Sequence, residues 1–358
     1  MSGLSGRFFL PGPVEVRADL LASMQRPMIG IHEPEMQELM GGLQGPLRRL
    51  FRTERPVLIG SCSSTGFMEA AVRGGVERRV LVVVGGYFGE RFAGVAEACG
   101  REVVRAHVPP GATLEPAHLE RFLEGPDVDA VALVHSETST GALAPLEALA
   151  RVVRTRPNVL LLVDAVTSVG GSPVETDAWD LDFVFTGTQK ALALPPGLAL
   201  GAASERFFER ARGAPDRGWY LDPVKHLEAA ERRLPTQSPA LPLLYALEAQ
   251  LRRIDEERLE HRWARHTAMR ELVERWVEAR PALALLAPAG RRASTVSAIA
   301  VPPHCSARAI ATELRRRGFV VGVGLPPLTE RVLRIGHMGD LEPADVSGLL
   351  EALESLVM

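Results

Sequence analysis

The sequence predicts an α/β protein: a large domain on a mostly parallel seven-stranded sheet flanked by helices, and a smaller C-terminal α/β domain. Three observations predict it. From about residue 57 to residue 212, apolar runs of strand length alternate with stretches of helical periodicity. Buried apolar strands joined through helices imply a parallel sheet covered on both faces. Past Gly213 the pattern changes to a loop rich in Pro and aromatics, a long charged helical stretch, and then a second, shorter alternation.

In chain order, residues 1–14 read as an extended arm carrying Pro11-Gly12-Pro13. The seven strands of the large domain (15–255) are Val57–Gly60, Val80–Val84, Val103–Val108, Ala130–Val134, Val159–Val163, Asp182–Phe185 and Leu198–Ala202. Helical stretches such as Phe67–Val72, Glu90–Cys99 and Pro116–Glu124 lie between the earlier ones. A single helical stretch from Leu243 to Glu278 leads into the small domain (256–358). There, strands near Ala282–Leu286, Thr295–Val301, Val320–Val323 and Val332–Ile335 accompany helices at Ser306–Arg317 and Pro343–Leu356.

Composition excludes several classes. With 46% hydrophobic and 24% charged residues the chain is globular rather than disordered or fibrous. A net charge of −3 gives no reason to expect a nucleic-acid or anionic-membrane partner. Cys62, Cys99 and Cys305 are too few and too scattered for a disulfide framework or a CxxC metal site. A reducing, cytoplasmic setting is expected, since no signal peptide or membrane-length apolar run is evident.

Of the 41 basic residues only Lys190 and Lys225 are lysines, and the other 39 are arginines. Codon bias toward arginine explains the 39. It cannot serve chemistry that needs a primary amine, because a guanidinium does not form an imine and scarcely deprotonates. Any essential lysine is therefore one of two.

In open parallel sheets ligands collect beyond the carboxyl ends of the strands. The loop Ser61-Cys62-Ser63-Ser64-Thr65-Gly66, set after a strand and opening a helix, offers amides and hydroxyls to a phosphate. A plain Ser/Thr N-cap is the competing reading of that loop alone. Asp164 ends one strand, and the next runs into Thr186-Gly187-Thr188-Gln189-Lys190, so an acid and an amine face one crevice. A simple salt bridge would account for that pair in isolation. Together the three elements meet the demands of pyridoxal 5′-phosphate: an amine for its aldehyde, an acid for its ring nitrogen and a cradle for its phosphate. Gly85-Gly86-Tyr87-Phe88-Gly89, read as a loop, supplies an aromatic to lie on the ring.

These residues resemble the class V aminotransferases of pyridoxal-phosphate fold type I, the group of serine–pyruvate and alanine–glyoxylate aminotransferases. The resemblance runs in order through Leu10-Pro11-Gly12-Pro13, Pro27-Met28-Ile29-Gly30, Gly86-Tyr87-Phe88-Gly89-Glu90-Arg91, His135–Gly141, Val163–Ser168, Gly187–Leu192 and Val332–Gly336. It implies that Lys190 holds the cofactor as a Schiff base and that Asp164 faces the ring nitrogen. Phe88 and Val166 would cover the two ring faces, with Tyr87 the second choice of aromatic. Thr138 would lie near the phenolic oxygen, and Ser64, Thr65, Gly66 and Gln189 at the phosphate. Arg334 matches the position that clamps the substrate carboxylate. The family also implies a homodimer whose active site lies at the subunit interface, with Ser238 of Thr236-Gln237-Ser238-Pro239 reaching the partner's phosphate. Gly30 matches a loop that lines the substrate entrance; relatives often read Gly-His-Arg there, whereas this chain reads Gly30-Ile31-His32, and the departure at Ile31-His32 puts the identity of the substrate in question.

The expected reaction is ping-pong transfer of an amino group from serine or alanine to glyoxylate or pyruvate. Phosphoserine and aminoethylphosphonate are other donors within the group. A cysteine desulfurase shares the fold and would need a nucleophilic cysteine, for which only Cys305 is available in the small domain. A non-catalytic binding protein on the same scaffold is the remaining alternative.

Overall fold

The computed structural model describes residues 6–357, so the first five residues of the arm lie outside it. In chain order the strands are β1 (Arg7–Phe9), β2 (Val57–Gly60), β3 (Arg79–Val84), β4 (Glu102–His107), β5 (Ala130–Val134), β6 (Ser136–Glu137) and β7 (Ala142–Leu143). They continue as β8 (Leu160–Asp164), β9 (Phe183–Gly187), β10 (Ala199–Ala203), β11 (Ala284–Leu285), β12 (Val296–Ala300), β13 (Phe319–Val323) and β14 (Val332–Gly336).

The seven predicted strands form one sheet in the order β2-β10-β9-β8-β5-β3-β4. Pairing is parallel from β9 to β4, while β10 runs antiparallel to both β9 and β2. Alternate side chains feed opposite faces, as the strand period of two requires. Leu81, Val83, Leu161 and Val163 enter one core, whereas Val80, Val82, Leu160 and Leu162 enter the other. Both faces are therefore apolar and covered. Each such fully buried Val or Leu contributes roughly 1.5–3 kcal/mol.

The second sheet has the order β1-β13-β14-β12-β11. The arm is thus no free extension, because β1 pairs in parallel with β13 and buries Phe9 completely. The chain then crosses to the large sheet, where the Val14 amide donates to Gln189 O at 3.2 Å.

Two expectations need correction. The stretch Leu243–Glu278 is two helices, Leu241–Glu257 and Leu259–Glu278, broken at Arg258 with φ 68°. No glycine or proline marks that break; it is held by tertiary bonds from Arg262 and Arg265 back to Glu257. The other correction concerns two segments read as loops. Ser64–Gly66 and Tyr87–Gly89 are the first turns of helices Ser64–Gly75 and Tyr87–Ala98. Helices Ala18–Ser23 and Pro34–Phe51 were not anticipated, although Pro34 at the first helical turn is a usual start signal.

Candidate active site

Asp164 is the last residue of β8 and Lys190 follows β9; the two strands are paired neighbours. Both open onto one cleft of about 350 Å³, within the usual range for small-molecule sites. They are not ion-paired, which removes the simple salt-bridge reading. Asp164 accepts from the Val166 amide at 2.9 Å, and Lys190 Nζ donates to the Pro11 carbonyl. Gly12 is required beside it: φ is 107°, and a Cβ there would lie 2.5 Å from Lys190 Cδ.

Burial dominates the protonation of both groups. It pushes the Asp164 carboxyl up to about 7, against the Val166 amide and the Lys190 and Arg91 charges. It pushes the Lys190 amine down to about 8, and the nearby Arg334 charge pushes the same way. An acid and an amine are thereby both brought toward neutrality in one cleft, the signature of a functional site.

The walls follow from local structure. Ser64 and Thr65, in the first turn after N-cap Ser63, line the cleft together with Gln189. First-turn amides lack intrahelical acceptors and carry the positive end of the helix dipole. Gly66 does not line the cleft; its amide donates to Ser63 O at 2.8 Å and a Cβ would lie 2.9 Å from Cys62 Sγ. Phe88 lines the cleft, with Lys190 Nζ 5.8 Å from its ring centre, while Tyr87 is 43% exposed outside it. Val166 and Thr138 complete the apolar and hydroxyl walls.

Arg334 on β14 does not itself line the cleft. Its Nε donates to Val323 O at 2.8 Å and its Nη1 to Thr138 O at 3.2 Å. Among the described residues it has no carboxylate partner, and burial pushes its guanidinium below its ordinary value. A part-buried cation held by carbonyls, with the Glu137 charge acting on it but not in ion-pair contact, suits an anionic ligand. Gly30, His32 and Ser238 are exposed and do not line the cleft within one chain.

Three residues escaped the sequence reading. Glu137 is buried, and one carboxylate oxygen accepts from the Phe88 and Gly89 amides at 3.0 and 3.2 Å. The other accepts from Ser139 N at 3.0 Å and Oγ at 2.6 Å. Glu137 thus caps helix Tyr87–Ala98 and fixes the Phe88 ring. Ser136 Oγ, buried in the cleft wall, has no hydrogen-bond partner in the protein. Arg91 lines the cleft with its guanidinium 4.9 Å from the Phe88 ring centre and no carboxylate partner among the described residues. All three stand in motifs that were visible; what was missing was the helical spacing from Phe88 to Arg91 and the long-range link from Glu137 to the helix.

An amine, an acid, a helix N-terminus with hydroxyls, two opposed apolar walls and the unpartnered Ser136 hydroxyl together fit pyridoxal phosphate. Residues 77–330 match the family model for class V aminotransferases. An alanine–glyoxylate aminotransferase from Nostoc sp. superposes with a TM-score of 0.93 at 32% identity, over 99% of this chain and 96% of that one. An aspartate aminotransferase from Thermus thermophilus gives 0.90 at 33% identity, over 98% and 99%. The serine–glyoxylate aminotransferase of Methylorubrum extorquens is 29% identical over 97% of this chain and 89% of its own length. The chain belongs to the class V aminotransferases, and it is a pyridoxal-phosphate-dependent transaminase of fold type I. Cys305 packs against the core of the second sheet and does not line the cleft, so the desulfurase reading finds no nucleophile here. No helix among the described residues is long and apolar enough to cross a membrane.

Proposed function

We propose that this enzyme moves an amino group from a small donor, alanine or serine, to a small 2-oxo acid, glyoxylate or pyruvate, in two half-reactions. The observation that carries the reading is the Asp164–Lys190 pair, shifted in opposite directions in one cleft. When bound, pyridoxal phosphate supplies an aldehyde and an electron-withdrawing pyridine ring. Lys190 Nζ is its covalent anchor and, when free, moves the proton at the substrate α-carbon. A value near 8 suits that task at neutral pH. Asp164 holds the proton at the ring nitrogen. Phe88 and Val166 would flank the ring, Thr138 would meet the phenolic oxygen, and Ser64, Thr65 and Gln189 would hold the phosphate, while Gly66 packs behind them against Cys62. Arg334 takes the substrate carboxylate in a bidentate grip beside Gly30.

The active enzyme in this reading is a cytoplasmic homodimer. Met28 (72% exposed) and Trp219 (75% exposed), large apolar side chains left to solvent in one chain, are the candidates for that subunit contact. Ser238 of the partner subunit would then complete the phosphate site. The three unpaired thiols accord with a reducing compartment.

One observation favours a second reading. Arg91, a cation in the cleft with no counter-ion, suits a donor with an acidic side chain such as aspartate. Single-turnover spectra of the holoenzyme with alanine, serine and aspartate decide between them. Fast conversion of the cofactor chromophore by alanine or serine is expected. Conversion by aspartate alone would overturn the small-donor reading, and conversion by no amino acid would overturn transamination itself.

A further inference from the structure

The loop that carries Lys190 is held from behind. After Lys190 the chain turns sharply, with Ala193 in the left-handed region at φ 51°. The Ala191 and Leu192 carbonyls are then taken up by two side chains from helices Leu259–Glu278 and Leu241–Glu257. Arg262 Nη2 donates to Ala191 O at 2.8 Å, and Gln250 Nε2 donates to Leu192 O at 2.9 Å. Both donors share a second acceptor, Asp340. Arg262 Nη2 lies 3.0 Å from Asp340 Oδ1, and Gln250 Nε2 lies 3.2 and 3.3 Å from its two oxygens. Two acceptors fix which end of the Gln250 amide is nitrogen.

Asp340 sits on the loop that leaves β14, the strand bearing Arg334. That loop is itself clamped. The Gly339 amide donates to His266 Nε2 at 3.0 Å, and Arg265 donates to the Gly339 and Leu341 carbonyls. Arg262 is 2% exposed and Gln250 1% exposed, while the Asp340 side chain keeps 15% of its surface, so the donors are buried and the acceptor stands at the rim. Apolar residues of similar volume often serve stability as well as a buried ion pair or better. Packing alone therefore gives little reason for an arginine and a glutamine to converge on one carboxylate here.

We propose that Asp340, acting through Arg262 and Gln250, is a positioning residue that sets the Lys190 amine relative to the Arg334 guanidinium. It takes Lys190 and Arg334 in the roles proposed above. The group that moves the proton and the group that holds the substrate carboxylate are then kept in register by one shared acceptor. A misplacement of about 1 Å at a reacting group costs on the order of 100-fold in rate. Arg334 keeps its own anchors on Val323 and Thr138, so donor binding should survive loss of Asp340.

The test compares Asp340→Asn, Asp340→Glu and the apolar pair Arg262→Met with Asp340→Leu, in which Glu257 keeps Arg265 as its partner. The apolar pair guards against misfolding of the single variant. Melting temperature, kcat and KM are measured on the holoenzyme. In cofactor-free protein, selective 13C-lysine labelling gives two signals, Lys190 and Lys225, and reports the Lys190 titration directly. Expected are a melting temperature near the parent's for the apolar pair and a kcat lowered about 10–100-fold with KM within about twofold. The Lys190 midpoint should move from about 8, and Asp340→Glu should recover part of the rate. A folded variant with kcat within about twofold of the parent overturns the proposal, as does a fall in kcat with the Lys190 signal unmoved. Activity that survives Lys190→Arg would instead remove the reading of Lys190 beneath it.

Discussion

Asp164 ends one of two paired strands in the middle of a seven-stranded sheet and Lys190 follows the other, both almost wholly buried, whereas Gly30 and Ser238 lie on exposed segments of the chain. Arg334 falls between, on the second sheet and part-buried. In the proposed reading, the cofactor side of the cleft is built by the buried centre of one sheet, and the substrate side is gathered from its edges. Rigid strands hold the groups whose protonation must be tuned by burial, since only a dry site shifts Asp164 and Lys190 this far. Exposed segments can change without disturbing the sheet, which is where a family on one scaffold varies its substrates.

The largest effect should come from Lys190→Arg. It preserves charge and most of the volume but removes the amine. We expect kcat to fall by about 10⁴-fold, the upper end of what a single acid–base group contributes, with every amino donor. Donor-by-donor turnover measures this, and activity retained with even one donor would break the contrast between the two sides.

The same contrast explains what could be read in advance. The seven strands were legible because a strand buried on both faces must be an apolar run, and runs such as Val159–Val163 are too short for a helix and rich in Val and Leu. Asp164 and Lys190 were legible because each interrupts or follows such a run with a charge. Phe88 was legible as a residue type and the helix was legible from Glu90 onward, but its first turn, which carries Phe88, was not, since Gly85-Gly86 before it and Gly89 after it read as a loop. The cap that makes the helix, Glu137, is 49 residues away from Phe88 in sequence. Arg91 was overlooked because it comes over the ring only when Phe88 lies three residues before it on the same helix. The break at Arg258 depends on Arg262, Arg265 and Glu257, and no local rule anticipates it. Ser238 takes its proposed role from a second subunit, which one chain cannot display, and Gly30 does not line the cleft of one chain.

On the substrate side, Arg334→Gln should leave cofactor binding intact and weaken the donor. Losing a charge-assisted hydrogen bond costs about 1.5–3 kcal/mol, or roughly 10–150-fold in kcat/KM. Most of the change should fall on KM, because the interaction holds a carboxylate that does not react. Titration of the apoenzyme with pyridoxal phosphate, beside steady-state kinetics, separates the two. Cofactor affinity lowered as much as donor affinity would show that Arg334 belongs to the cofactor side.

The smallest effect should come from Lys225→Arg, and it is the sharpest control on the Lys190 argument. Lys225 lies on helix Pro223–Glu231 with its ammonium 2.9 Å from the centre of the Trp219 ring. It needs a cation there rather than a nucleophilic amine, and a guanidinium stacks on an aromatic face at least as well. Stability should stay within about 0.5 kcal/mol of the parent, with kcat unchanged. In a chain where 39 of 41 basic residues are already arginine, this position has no evident reason to resist the same replacement. If Lys225→Arg were as damaging as Lys190→Arg, the scarcity of lysine would mark two sites of amine chemistry rather than one. If it is silent, the one lysine that arginine cannot replace is the one at the end of the central strands.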